Sequence, residues 1–297
     1  MKIYYGLAEN LIDVTEICLS KLTSRNIITI PIGDANRANF FTDPVIGFHK
    51  NIIIENNGNV TEYNEYIKIS INILDNTINT TSENDINSVL SDIHSKLKIN
   101  HGSLNDELPE QKMVVRYLTG SEKVLEIGGN IGRNSLVISS ILYDQNNFVT
   151  LESDETIAKQ LIENRDLNNF NFHVENSAVS NRKLIQKDWL TMPSDVLIEG
   201  YNWINTITLE NLKNKYNIEF DTLVLDCEGA FYYILMDMPE MLNNINLIIM
   251  ENDYTDISQK NYVDEVLISN DFYRDYVEGG GWGPCCNNFF EVWKKSQ

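Results

Sequence analysis

The feature that most constrains the fold is the alternation of apolar strands and helical segments from Pro109 onward. Strands are predicted at 123–127, 147–151, 171–174, 221–226 and 246–251, and helices at 109–120, 133–142, 155–167, 209–215, 229–242 and 261–269. Such alternation predicts a parallel sheet covered by helices on both faces. The last two segments, 273–277 and 288–293, predict an antiparallel β-hairpin that closes the sheet.

The N-terminal third of the chain has a different pattern. Short β-rich runs at 27–31, 50–54 and 66–71 are separated by turn signals, and residues 82–98 have the apolar spacing of a helix. These features predict two domains. The first, 1–102, is a small, mostly β domain with a trailing helix that serves acceptor binding or dimerisation; the second, 103–297, is the α/β domain.

The charge of the chain argues against a nucleic-acid substrate. Acidic residues outnumber basic ones 43 to 23, and the formal net charge is −20, so an average surface repels phosphate backbones. Glu9 and Asp13 interrupt the stretch where a signal peptide would be apolar, and no run reaches the length of a membrane span. We therefore expect a soluble cytoplasmic protein, in the host cytoplasm if it is virus-encoded, with no membrane or nucleic-acid partner.

A glycine loop follows the first α/β strand. Gly128 and Gly132 bracket the turn into the next helix, where a missing Cβ lets backbone approach a ligand. Glu126 precedes the loop; its carboxylate would repel a pyrophosphate but would attract a sulfonium or ammonium group. Glu152 ends the next strand, from which an acidic group can hold both ribose hydroxyls of a nucleoside.

Residues 126–132, Glu-Ile-Gly-Gly-Asn-Ile-Gly, resemble the loop of the FkbM family of methyltransferases, usually Asp-Val-Gly-Ala-Asn-Ile-Gly. Segments 176–180, 208–212 and 225–230 also resemble family motifs, so the likeness covers about residues 107–297. It implies a Rossmann-like class I methyltransferase sheet that binds S-adenosylmethionine. The cofactor-binding residues it implies are Glu126, Gly128, Gly129, Asn130, Gly132, Glu152, Ser153, Asn176, Ser177, Ala178 and Asp226. Ser153 and Phe231 depart from the family pattern, which usually has proline and glutamate there.

Acidic side chains at two strand ends are the candidates for acceptor chemistry. Asp226 is our first choice as the general base, because an apolar strand delivers it to the crevice; Glu228 and Glu251 are alternates. Each could instead cap a helix. Asp226 and Glu251 could also hold Mg²⁺, which would lower the pKa of an acceptor hydroxyl. His173 is interpreted as a core residue.

Three further residues are candidates for substrate binding. Glu107 precedes the first helix of the α/β domain, Asn252 follows Glu251, and Trp282 lies in a glycine-rich loop where it could stack on a sugar or pack on the domain edge. The predicted function is O-methylation of a sugar hydroxyl in a glycan or nucleotide-sugar precursor. A protein or polyketide-like hydroxyl, or a non-catalytic binding module, remains open as an alternative. The expected partner is a small-molecule or glycan acceptor, with a homodimer as a further hypothesis.

Overall fold

The computed structural model describes residues 1–7, 9–24 and 26–296 and divides into two compact units, Met1–Ser88 and Val89–Lys295. This division differs from the boundary predicted at residue 102. It falls earlier because Leu90 is buried in the core of the second unit and Ile93 and Leu97 pack against that core. Within the described ranges, no helix combines the length and the apolar character that crossing a membrane requires.

The first unit is built from antiparallel strands and short helices. Its strands are β1 (Lys2–Leu7), β2 (Asn10–Asp13), β3 (Thr23–Ser24), β4 (Ile27–Ile30), β5 (Asn51–Asn56), β6 (Asn59–Tyr63), β7 (Ile67–Asn72) and β8 (Ile78–Ser82), and its helices are α1 (Thr15–Lys21), α2 (Asp34–Phe41) and the beginning of α3 (Glu83–His94). Two sheets form, with strand orders β2-β1-β5-β6 and β3-β4-β7-β8. Alternate residues of the central strands, such as Ile52 and Ile54, fill the core. The predicted β-rich N-terminal region is therefore confirmed.

The second unit contains the predicted alternation of strands and helices. Its helices are α4 (Leu108–Tyr117), α5 (Arg133–Ile141), α6 (Glu155–Leu167), α7 (Leu209–Tyr216), α8 (Ala230–Asp237) and α9 (Ile257–Ser269). Its strands are β9 (Val124–Ile127), β10 (Phe148–Leu151), β11 (His173–Glu175), β12 (Ala178–Val179), β13 (Leu184–Lys187), β14 (Leu190–Pro193), β15 (Asn202–Ile204), β16 (Thr206–Ile207), β17 (Thr222–Leu225), β18 (Leu247–Glu251), β19 (Phe272–Glu278) and β20 (Phe290–Lys295).

The main sheet of this unit confirms the predicted fold class. Among the described residues it has seven strands in the order β11-β10-β9-β17-β18-β20-β19. The first five are mutually parallel, whereas β20 runs antiparallel to β18 and to β19. Every residue of β9, β10 and β17 is buried, as expected for strands covered on both faces. The result is a Rossmann-like sheet closed by an antiparallel hairpin.

The strand order reverses direction at β9, which has β10 on one side and β17 on the other. Connections from β9 and β17 leave toward opposite sides at such a point and open a crevice beyond the carboxyl ends of the strands. The glycine loop, Glu152, Asp226 and Glu251 all follow or end these strands. The topology therefore brings the acidic residues named from the sequence to one edge of the sheet.

Candidate active site

A cavity of about 570 Å³ lies at this edge, within the size range of small-molecule sites. Many of the residues proposed from the sequence line it: Glu107, Gly128, Asn130, Glu152, Ser153, Ser177, Ala178, Asp226, Glu228 and Glu251. Several of the predicted cofactor residues thus line the same cavity as the predicted catalytic carboxylates.

Close packing against neighbouring strands requires glycine at two positions after β9, because a side chain there would clash. A Cβ on Gly128 would lie 1.6 Å from the Asp226 carbonyl oxygen, and one on Gly129 would lie 2.1 Å from Thr150 Oγ1. Gly132 has φ of 92° and is the N-cap of α5. Neither Gly129 nor Gly132 lines the cavity that the structure describes. These glycines let the loop pack on β10, β17 and α6, and Gly128 also lines the cavity, so a close approach of a ligand to the backbone of the loop stays a prediction.

Glu126 lies beneath the loop, where its carboxylate accepts a hydrogen bond from the hydroxyl of Ser135. The side chain is buried, and burial raises its pKa to about 7. It does not belong to the described lining of the cavity. This placement differs from the expected cofactor contact, because the Glu126 side chain bonds to α5 instead of pointing into the crevice.

Glu152 has the position expected of a ribose-binding acid. Its Oε2 accepts a hydrogen bond of 2.9 Å from the backbone N–H of Asn130, and its Oε1 accepts one of 2.8 Å from that of Asp154. These bonds fix the carboxylate at the cavity wall, and burial raises its pKa. Because each carboxylate oxygen can accept a second hydrogen bond, Glu152 can still receive two hydroxyl groups.

The segment after β11 is tied to the end of β10. Asn176 Nδ2 donates to the carbonyl oxygens of Glu152, at 2.8 Å, and Ser153, at 3.2 Å. Ser177 and Ala178 line the cavity, whereas Asn176 itself does not among the described residues. Asn176 therefore ties the segment that carries Ser177 and Ala178 to the end of β10.

Three acidic residues at the ends of β17 and β18 form a carboxylate cluster, which we define as Asp226, Glu251 and Asp253. One oxygen from each lies within 4.8 Å of the others. Burial, followed by the nearby negative charges, raises the pKa of Glu251 to about 11 and that of Asp226 well above its ordinary value. Burial likewise raises the pKa of Asp253 to about 7. The cluster can accept protons or bind a cation.

Two further acidic residues belong to this end of the site, although neither is a candidate site residue in the sequence analysis. Asp253 follows Glu251 and Asn252 beyond β18, at a strand end that the sequence predicts to face the crevice. Glu110 belongs to the acidic segment 105–111, whose place before α4 predicts either a cover for the methionine end of the cofactor or an acidic helix start. Glu110 lines the cavity with 7% of its surface exposed, and its Oε2 has no hydrogen-bond partner among the described atoms.

Glu107 and Glu228 also face the cavity. Glu107 forms an ion pair of 2.7 Å with Arg133, yet burial still raises its pKa. Burial also raises the pKa of Glu228, which precedes the N-cap glycine of α8. After burial, both carboxyl groups also contribute to raising the pKa of Asp226.

Two of the predicted substrate residues lie away from the cavity that the structure describes. Asn252 is buried, and its Nδ2 donates a hydrogen bond of 2.7 Å to the carbonyl oxygen of Asn288. It ties the end of β18 to the segment before β20. Trp282 is half-exposed outside the lining. Neither residue belongs to the described lining, and the predicted contacts of both with substrate stay predictions. His173 stacks on Tyr216 with ring centroids 4.6 Å apart and also lies outside the lining.

No protein-family model matches the chain, and no curated protein sequence matches it. Among solved structures, the ribosomal protein L11 methylase of Lactobacillus delbrueckii subsp. bulgaricus is 11% identical, with a TM-score of 0.42 over 67% of this chain and 82% of its own. The O-methyltransferase of Bacillus cereus in complex with SAH is 15% identical, with a TM-score of 0.40 over 71% and 90%. A NADB-Rossmann superfamily protein of Streptococcus agalactiae is 11% identical, with a TM-score of 0.41 over 63% and 68%. Structural similarity at these identities and TM-scores does not identify a function.

Proposed function

We propose that this chain is an S-adenosylmethionine-dependent O-methyltransferase of the FkbM type that methylates a hydroxyl of an uncharged glycan. The observation that carries the proposal is the single cavity shared by Glu152, beside the glycine loop, and by Asp226 and Glu251. A small-molecule site of this kind supports a role of Glu152 in nucleoside binding and of Asp226 and Glu251 in acceptor binding.

The proposed orientation of the cofactor follows from the residues that line the cavity. Glu152 receives the ribose hydroxyls, and the adenine lies toward Ser177 and Ala178, beyond the end of β11. The methionine end then extends past Gly128 toward Glu107. This orientation presents the methyl group at the end of β17, where Asp226 faces the cavity.

Methyl transfer is an in-line displacement in which an acceptor oxygen attacks the methyl carbon. The new O–C bond forms as the S–C bond breaks, and S-adenosylhomocysteine leaves. The site must align the two reactants and exclude water. Asp226 accepts the proton of the hydroxyl in this proposal; the raised pKa of its carboxyl makes the ionised form a stronger base than an ordinary aspartate.

A magnesium ion belongs to the same proposal. The oxygen spacing of Asp226, Glu251 and Asp253 suits a hard divalent cation, and Glu110, whose Oε2 has no hydrogen-bond partner among the described atoms, lines the cavity together with Asp226 and Glu251. Bound there, the ion would lower the pKa of an acceptor hydroxyl. EDTA should then abolish turnover and added Mg²⁺ should restore it. Full activity in EDTA would leave the chemistry to Asp226 as a base alone.

The charge of the wall favours an uncharged acceptor. Its acidic residues are Glu107, Glu110, Glu152, Asp154, Asp188, Asp226, Glu228, Asp237 and Glu251, and the described lining contains no Lys, Arg or His. Among these acidic residues, Glu107 forms an ion pair with Arg133 and Asp237 forms one with Arg182. Such a wall would repel the diphosphate of a nucleotide sugar, so of the two predicted acceptors a glycan hydroxyl is favoured.

Calorimetric titration with S-adenosylhomocysteine and with NAD tests the proposal. The first ligand should bind, and at a hundredfold excess over its Kd it should add about 2.7 kcal/mol to the free energy of unfolding. NAD should leave the melting temperature unchanged. Binding of NAD without binding of S-adenosylhomocysteine would overturn the assignment.

A further inference from the structure

The hairpin of β13 and β14 forms one wall of the cavity. Gln186 pairs with Thr191 and Leu184 pairs with Pro193, and because side chains alternate along a strand these four share one face. All four line the cavity. Ile185, on the opposite face, pairs with Trp203 of β15. The hairpin therefore presents a defined inner face to the ligand and a separate outer face.

This hairpin is attached at the ribose end of the cavity. The hydroxyl of Ser153 donates a hydrogen bond of 3.1 Å to Gln186 Oε1, and Ser153 directly follows Glu152. The carboxylate cluster, by contrast, lies at the ends of β17 and β18. In the sheet, β10 and β18 are separated by β9 and β17, which corresponds to about 14 Å at the usual strand spacing. The inner face of the hairpin is thus next to the nucleoside half of the proposed cofactor.

An exposed tryptophan lies at the tip of this hairpin. Asp188 and Trp189 form the turn between β13 and β14, and Asp188 has a φ of 51°. Trp189 lines the cavity, yet 57% of its surface is exposed. A large aromatic side chain on a cavity wall with its surface uncovered offers a plane on which a flat ligand group can stack. The flat group of the proposed cofactor is the adenine.

We propose that the β13–β14 hairpin covers the nucleoside half of the cofactor and that Trp189 stacks on the adenine. The inference rests on the proposed function, since it takes an adenosyl compound as the ligand. Gln186 and Ser153 hold the hairpin against the strand that carries the ribose-binding acid. Trp189 is then a cofactor-binding residue, separate from the acceptor end of the site.

The test compares the affinity of the full chain and its variants for S-adenosylhomocysteine by calorimetry. Base–aromatic stacking is strong enough that Trp189→Ala should weaken binding about 5- to 150-fold, whereas Trp189→Phe should retain most of the affinity. Trp203→Ala is the matched control: Trp203 belongs to the same small sheet and is 44% exposed, but lies on its outer face and outside the described lining. The affinity of Trp203→Ala for S-adenosylhomocysteine should equal that of the parent.

Two further measurements locate the contact. The affinity for 5′-methylthioadenosine, which lacks the amino-acid half, should fall by the same factor in Trp189→Ala. Quenching of tryptophan fluorescence by S-adenosylhomocysteine should be lost in that variant and kept in Trp203→Ala, although the chain has 4 tryptophans. Parent-like affinity and quenching in Trp189→Ala, with the parent binding normally, would overturn this inference alone. A parent chain that fails to bind S-adenosylhomocysteine would overturn the proposed function and the inference with it.

Discussion

Glu126 shows how burial changes the role of a single carboxyl group. The sequence places it before a glycine loop, where a free carboxylate would attract a positively charged ligand. In the folded chain it is buried beside Ser135, and its pKa rises to about 7 from an ordinary value of 4.5. An acid with a raised pKa holds its proton in the folded state at pH values where the unfolded chain has released it.

This shift gives Glu126 a predictable effect on stability. Its contribution is fully present below pH 4.5 and is lost as the pH rises through about 7. The glutamine in Glu126→Gln is neutral at both pH values, so only the parent loses stability as the pH rises. The free energy of unfolding of the variant minus that of the parent should therefore be about 2–3 kcal/mol larger at pH 8 than at pH 5. Urea unfolding at the two pH values measures this. Glu265→Gln, at an exposed position of α9, should show no such difference; an equal gap at both pH values would contradict the assigned pKa.

Asp226 is the residue on which the proposed chemistry depends most. Asp226→Asn keeps the size of the side chain and removes its charge, so the fold and the affinity for S-adenosylhomocysteine should survive. Turnover of a hydroxyl acceptor, followed by transfer of a labelled methyl group, should fall about 10²–10⁴-fold if Asp226 is the base. Asp271→Asn, at an exposed position with positive φ, controls for the substitution. Near-parent rates in Asp226→Asn would transfer the role to Glu228 or Glu251.

At the residue scale, then, the sequence identified several carboxylates of the site. Asp226, Glu228 and Glu251 were found because strand ends are visible as the limits of apolar runs. Glu110 could be assigned only to a segment near the cofactor, because its helix, α4, reaches the cavity through tertiary packing. The carboxylate of Glu126 was expected in the site and is buried elsewhere, because the direction in which a side chain points at a strand end is set by the strands and helices around it.

Among the elements, the five parallel strands were predicted within a few residues, since long apolar runs leave few alternatives. The helix predicted over 229–242 is interrupted: α8 ends at Asp237, and Pro239–Leu242 forms a separate 3₁₀ helix. Pro239 lacks the N–H that would continue the α-helix. Strands β12 to β16 were not predicted, because they are only two to four residues long and give no clear alternation of apolar and polar residues.

One side chain holds together elements that are distant in sequence. Asn164, fully buried on α6, donates from Nδ2 to the carbonyl oxygens of His101, at 3.2 Å, and Ile131, at 2.9 Å. Its Oδ1 accepts from the backbone N–H groups of Asn100, at 2.8 Å, and His101, at 3.2 Å. The segment before α4 and the glycine loop are thereby both attached to α6.

Replacing this asparagine tests how much the attachment contributes. Asn164→Ala leaves buried backbone groups without partners and should lower the free energy of unfolding by about 2–4 kcal/mol. Glu163→Ala is the control on the same helix, because Glu163 also contacts His101 but through an exposed side-chain hydrogen bond of 2.6 Å; it should cost less than about 1 kcal/mol. Urea denaturation of both variants gives the comparison. Equal losses would show that the buried network adds nothing beyond a surface contact.

The whole molecule consists of two units with separate cores. The second unit contains the complete candidate site, so a fragment comprising Val89–Lys295 should fold and bind S-adenosylhomocysteine with the affinity of the full chain. A fragment that begins at Ser103, the predicted boundary, lacks Leu90, Ile93 and Leu97. It should be less stable by at least about 2 kcal/mol, the usual cost of losing one buried leucine.

Thermal melting and calorimetry of the two fragments make this comparison. Equal stability would show that residues 89–102 contribute nothing to the second core, and failure of the longer fragment to fold would show that the units depend on each other. Roles of the first unit in acceptor binding or dimerisation stay predictions, as does a cytoplasmic location.

The sequence by itself determined the order of strands and helices, the β-rich first region and the presence of acidic residues at the ends of parallel strands. It could do so because apolar periodicity and strand limits are local properties of the chain. Only the tertiary structure decided which carboxylates meet: Glu110 joins Asp226, Glu251 and Asp253 from another part of the chain, while Glu126 turns away toward Ser135. It also decided that Trp189, and not Trp282, lies on the cavity wall. Those outcomes depend on packing between elements far apart in sequence, which no local pattern records.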